Sequence, residues 1–185
     1  MELSPAQLGW RPKPGAWSVV ECLDHLLATH RLCLGSIERT LAKSGAPSSG
    51  NAAFEGGRLA GWFIGLLGPD SRRRLKSPSI FQPPPVGVEG DSDPRVVRRF
   101  AAQQRQIMSV IEKSRDVDLQ QVKVASPASA LLRFRLGDAL RMMVEHNKRN
   151  LKQADAIMAP SGFPPDLETQ WLGFEPLPSQ RRRGS

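Results

Sequence analysis

Residues 15–30 read GAWSVVECLDHLLATH and hold two of the chain's three histidines together with a thiol. Ser18 followed by Glu21 has the spacing of a capping box, in which each side chain satisfies a free backbone N–H at a helix start. Trp17 before the cap and Cys22 after it are placed to form a hydrophobic staple. Val19, Leu23, Leu26, His30, Leu34, Ile37 and Leu41 then recur at helical spacing, so a long helix is expected until Gly45 and Pro47 stop it. By helical angle His30 lies near the middle of this apolar stripe. His25 projects about 140° away from it, near Glu21, Cys22 and Thr29. Periodicity alone therefore buries His30 and leaves His25 at an edge.

Upstream, Pro5, Pro12, Pro14 and Gly15 give residues 1–17 the character of an extended lead-in. Downstream, residues 44–56 are a loop of small residues, and GGRLAGWFIGLLG at 56–68 reads as a short buried helix weakened by interior glycines. A long loop rich in Pro and Gly follows over 70–93. Asp93 is the expected N-cap of a second long helix, with Pro94 at its first position. Val96, Val97, Phe100, Ile107, Val110 and Ile111 make its apolar face. Residues 116–134 are a connection of mixed character, with an alternating stretch too short to commit to a sheet. A third long helix over 135–158 ends at Pro160 and Gly162. Beyond it, Trp171 and Phe174 are placed to lie against the body, and the tip is expected to be mobile. Three long amphipathic helices and one shorter apolar helix argue for an all-α chain, a four-helix bundle with long connecting loops. Residues 1–160 form its single domain, and 161–185 a partly packed C-terminal tail.

Composition narrows the function. The chain has 185 residues, and no apolar run is long enough to span a membrane. The first residues carry no signal-peptide pattern, so the expected location is the cytoplasm. Cys22 and Cys33 lie about three turns apart on one helix, too far to bridge each other, and read as reduced thiols packed as small apolar groups. Neither has the paired histidine and acid of an activated nucleophile. The net charge of +8 raises nucleic acid as a partner. Its clusters, at residues 72–74, 98–99 and 181–183, lack interleaved aromatics or a DNA-reading motif, so nucleic-acid binding is disfavoured.

The last helix carries the remaining polar pattern. His146, Asn150 and Gln153 are spaced i, i+4 and i+7 beside the apolar stripe of Leu136, Leu140, Met143, Leu151, Ala154 and Met158. Such a cluster is either a satisfied hydrogen-bond network or a ligand set of the kind built inside helical bundles. Spacing leaves both open.

Taken in order, these segments resemble the DinB/YfiT-like superfamily. The family's W-S-x-x-E-x-L-x-H-L appears as Trp17-Ser18-Val19-Val20-Glu21-Cys22-Leu23-Asp24-His25-Leu26. Its closing H-x-x-x-H, followed three residues on by Gln or His, appears as His146-Asn147-Lys148-Arg149-Asn150-Leu151-Lys152-Gln153. Between them, RLKSPSIFQP at 74–83 resembles a loop that many members carry. The resemblance covers residues 10–158 and implies a four-helix bundle with a divalent metal, zinc or nickel, in a cleft at one end. It implies metal-dependent chemistry on small molecules: S-transfer from low-molecular-weight thiols, isomerisation of maleylpyruvate, or hydrolysis. It also implies homodimers.

Carried over by position, His25 matches the first metal ligand and His146 the second, against the angular estimate for His25. Some relatives also have a histidine at the position of His30, where it is not a ligand. The third ligand falls on Asn150, where the motif fails. A carboxamide oxygen is a weaker and harder donor than imidazole, so a metal there needs water or a carboxylate such as Glu21 or Glu145. The resemblance therefore leaves three outcomes: a weakened metal site, a metal-free pocket of His25, His146 and Asn150, or a relic with structural duty. The competing class is a non-catalytic binding or dimerisation module.

Overall fold

The computed structural model describes residues 3–44, 54–68 and 93–165. The 70–92 part of the expected loop, with its family-like 74–83 segment and Arg72–Arg74, lies outside them, as do Trp171, Phe174 and the residue 181–183 cluster. The first ordered element is a helix that its prolines were expected to exclude. α1 (Pro5–Gly9) is capped by Ser4, whose hydroxyl accepts from the Gln7 N–H at 3.3 Å while Gln7 Oε1 accepts from the Ser4 N–H at 2.9 Å. Pro5 sits at the first helical position, where its missing N–H costs nothing and its fixed φ already suits a helix.

α2 (Val19–Leu41) starts with the expected box. The Ser18 N–H donates to Glu21 Oε2 at 2.8 Å, and the Glu21 N–H donates to Ser18 Oγ at 3.5 Å. Val19, Leu23, Leu26, His30, Leu34 and Ile37 are buried as their spacing requires, and the helix ends a few residues short of Gly45. α3 (Arg58–Leu67) is held at its start by Asp138, a buried carboxylate that accepts from the Gly57 N–H at 3.0 and 3.2 Å. Only one face of this helix is covered: Ala60 and Ile64 are buried, whereas Trp62 is 61% exposed. The reading of α3 as a buried helix is corrected accordingly.

α4 (Arg95–Lys113) begins one residue later than expected, with Pro94 as the cap and Asp93 Oδ1 accepting the Arg95 N–H at 2.9 Å. Val96, Ile107 and Val110 point inward, but Val97 and Ile111 are exposed and Gln103 is buried in their stead. The alternating stretch forms a hairpin of β1 (Lys123–Ser126) and β2 (Ser129–Arg135), antiparallel, with Val124 opposite Phe134. The chain is thus mostly helical with a two-stranded sheet, not purely α. Val124 and Phe134 alternate into the core, and the hairpin is tied to α2 by Ser36 Oγ donating to the Ala125 carbonyl at 2.7 Å. α5 (Leu136–Met158) follows β2 directly.

α2 is the central element: α4 and α5 both pack on it, and α3 packs on α5. Two apolar clusters form. One gathers Leu34 and Ile37 of α2, Ile107 and Val110 of α4, and Leu136, Leu140 and Met143 of α5. The other gathers Val19 and Leu23 of α2, Val96 of α4, and Ala154 and Ile157 of α5, with Leu8 of α1. This pairing makes α2 and α4 parallel and α5 antiparallel to both. The middle turns of all three helices fall between the clusters, and there, beside Leu26, polar side chains are buried: His25 and His30 of α2, Gln103 of α4 and Asn150 of α5. Past α5, Phe163 stacks edge-on against Trp10 at 5.5 Å, and Gln7 Nε2 donates to the Pro164 carbonyl at 3.0 Å. Among the described residues, no helix is long and apolar enough to cross a membrane.

Candidate functional site

The middle turn of α2 carries His25 and His30, and the facing turn of α5 carries His146 and Asn150. His25 is 5% exposed, and its Nε2 lies 3.1 Å from Nε2 of His146. Their ring centroids are 5.0 Å apart at 80°, and Trp17 lies over the His25 ring at 5.2 Å. The angular estimate that left His25 at an edge is corrected. α2 is covered on two sides, by α4 and by α5, so its buried arc is wider than a single apolar stripe. His30, 0% exposed, also lies edge-on to His146, with ring centroids 6.0 Å apart at 82°.

His146 and His30 are held neutral. Burial, then the neighbouring His25 and His30 and the Arg149 guanidinium, push His146 down to about 3. Burial, then His25, push His30 down to about 4 against the opposing pull of the Met143 carbonyl and Gln103. A neutral imidazole keeps a lone pair on one nitrogen, which is the state that binds metals or accepts a hydrogen bond.

Asn150 is buried, but its amide turns back along its own helix: Nδ2 donates to the His146 carbonyl at 2.9 Å. Gln153, expected on the same face, is exposed. The two carboxylates that might have completed a ligand set are engaged elsewhere. Glu21 holds the Ser18 N–H and an ion pair with Arg11 at 2.6 Å, and Glu145 pairs with Lys148 at 2.9 Å. Among the described residues, no group of three or more His, Cys, Asp or Glu side chains is arranged to hold a metal ion. The cysteines stay apart from this chemistry. Both are free, and burial raises Cys22 to about 12 and Cys33 to about 11, so both remain thiols.

Sequence periodicity missed the α4 side of the layer. Gln103 Nε2 donates to the Leu27 carbonyl at 2.9 Å, and Asn147 Nδ2 donates to Gln104 Oε1 at 2.7 Å. The signal was the pair of glutamines interrupting the apolar stripe between Phe100 and Ile107. Several buried atoms here meet no hydrogen-bond partner among the described residues: Thr29 Oγ1, both ring nitrogens of His30, Gln103 Oε1, Gln104 Nε2 and Asn147 Oδ1. A buried polar atom without a partner costs about 1–3 kcal/mol, so this layer is an expensive way to fill a core.

The donor set fits a divalent metal at two positions. With metal–nitrogen bonds of about 2.0–2.1 Å, two imidazole nitrogens on one tetrahedral ion stand about 3.3 Å apart, close to the separation of the His25 and His146 pair. Asn150 does not match as a third donor, because its amide is committed to the helix backbone. Compared with known proteins, residues 1–154 match the family model described as the DinB superfamily. No curated protein and no solved structure matches.

Proposed function

The chain belongs to the DinB superfamily, and from that premise we propose that it is a four-helix bundle, α2 to α5, holding a divalent metal, zinc or nickel, through His25 and His146 for chemistry on a small molecule. The facing Nε2 atoms at 3.1 Å carry this reading. The metal would supply Lewis acidity, lowering the pKa of a bound water or low-molecular-weight thiol for hydrolysis or S-transfer. Around it, the chain's own residues have defined duties. Burial keeps His146 in its neutral, ligating form, Trp17 limits water over His25, and Asn150 fixes the His146 turn of α5 through its backbone carbonyl. The reading places the protein in the cytoplasm, where two free thiols are at home. It takes residues 1–160 as one domain. It also takes the chain to be a homodimer, which Val97, Met108 and Ile111, exposed along α4, would suit.

A metal-free binding or dimerisation module is the second reading, favoured by the Asn150 amide being spent on its own helix. Titration of tag-free protein with zinc and with nickel separates the two. The metal reading expects one ion per chain, loss of binding in His146→Ala, and tighter binding in Asn150→His. If the wild-type chain takes up neither metal while Asn150→His does, the metal-free reading stands.

A further inference from the structure

Trp17 lies against His25, and the chain fixes Trp17 from both sides. The Ala16 carbonyl before it accepts from Arg11 Nη1 at 2.7 Å, and the Ser18 N–H after it donates to Glu21 Oε2 at 2.8 Å. Arg11 and Glu21 are also joined to each other. Nη2 donates to Oε1 at 2.9 Å, and Nη1 lies 2.6 Å from Oε2. One guanidinium and one carboxylate, meeting fork to fork, therefore grip the two peptide groups that flank the indole. A capping box is complete with Ser18 and Glu21 alone, so the start of α2 does not account for Arg11.

The segment between these anchors is equally constrained. Pro12 and Pro14 fix φ in the arm that leaves Arg11. The Ala16 N–H closes a turn on the Lys13 carbonyl at 3.1 Å, and Gly15 makes the bend at φ 74°, in the left-handed region. Trp17 leaves this bend with its ring centroid 5.2 Å from that of His25, at 59°. Residues 11–15 are exposed, whereas His25 is buried.

We propose that Arg11 is a positioning residue of the site. It holds the Ala16 carbonyl directly and the Ser18 N–H through Glu21, keeps the indole on His25, and so controls access to the His25–His146 pair. Residues 11–17 then form a strap whose fastening is the Arg11–Glu21 pair. Releasing Arg11 frees the backbone on one side of Trp17 while the Ser18 cap stays made, so the indole can swing from His25 without unwinding α2. The proposal concerns access to the pair and does not depend on what the pair binds.

The test is histidine modification by diethyl pyrocarbonate on tag-free protein dialysed against a chelator, with His25 and His30 read separately by peptide mass spectrometry. Arg11→Gln should speed modification of His25 by about fivefold and Trp17→Ala by about tenfold, with His30 at its wild-type rate in both. His30, 0% exposed, reports any general loosening of the bundle. An unchanged His25 rate in Arg11→Gln, or a rise shared by His30, overturns the role of Arg11. An unchanged rate in Trp17→Ala overturns the cover itself. Salt gives a reading that needs no Trp17 variant. Raising sodium chloride from about 50 to about 500 mM screens a partly exposed ion pair, so it should speed His25 modification in the wild type and not in Arg11→Gln. An equal salt response in the two chains overturns the fastening. With no metal in the assay, none of these results depends on whether the pair binds zinc.

Discussion

His25 and His146 face each other from different helices, and burial keeps the His146 imidazole uncharged. The same burial has a measurable consequence in the metal-free chain. His146 and His30 titrate near 3 and 4 when folded, against 6.5 for an ordinary histidine. Between those values the unfolded chain binds more protons than the folded one, so stability rises with pH. It is fully present above about 6.5 and is lost as pH falls towards 4. Urea midpoints of the metal-free protein should therefore fall between pH 7.5 and pH 4.5, and His30→Phe should flatten part of that slope. A midpoint unchanged over the range would contradict neutral, buried rings. At this scale the sequence was legible in part. The motif around His25 and the substitution at Asn150 could be read from spacing and resemblance. That the Asn150 amide bonds its own helix could not, because a side-chain rotamer leaves no trace in periodicity.

Among the elements, α2 was the most legible, since its cap, its stripe and its end all follow local rules. Ser18→Ala should remove the cap and cost about 1 kcal/mol in unfolding free energy, while Glu21 keeps its ion pair with Arg11. The start of α3 depends instead on a distant residue. Asp138, in the first turn of α5, accepts the Gly57 N–H that begins α3. Asp138→Ala should leave that buried N–H unpaired and destabilise the fold by about 1–3 kcal/mol, read from denaturant midpoints at constant m. Gly137, beside it, has no room for a side chain, as a Cβ there would lie 2.5 Å from the Phe54 ring. None of this is local in sequence, which is why α3 looked fully buried from its composition. α1 and the hairpin were missed for the opposite reason. Each is so short that a proline or a loop-like context outweighs the pattern, and only Ser4–Gln7 capping and the Val124–Phe134 pairing reveal them.

Across the whole molecule, the organising feature is a polar layer between two apolar clusters, where α2, α4 and α5 share their middle turns. Its α2 and α5 sides were visible in the sequence as histidines at helical spacing. Its α4 side, Gln103 and Gln104, was not, because two glutamines in a helix ordinarily face water. The basic charge of the chain enters less than its magnitude suggests: Arg99 is paired with Asp24 at 3.1 Å across α4 and α2. DNA titrations between about 50 and 200 mM salt should accordingly show no steep salt dependence, whereas a slope equivalent to several phosphate contacts would reverse that view. We propose that the layer is a metal site built on His25 and His146. Elemental analysis of tag-free protein, dialysed after incubation with equimolar zinc, tests it most directly. The wild-type chain should retain about one zinc, and His25→Ala or His146→Ala none; a wild-type chain without zinc, or zinc retained by both variants, would overturn the pair as a metal site.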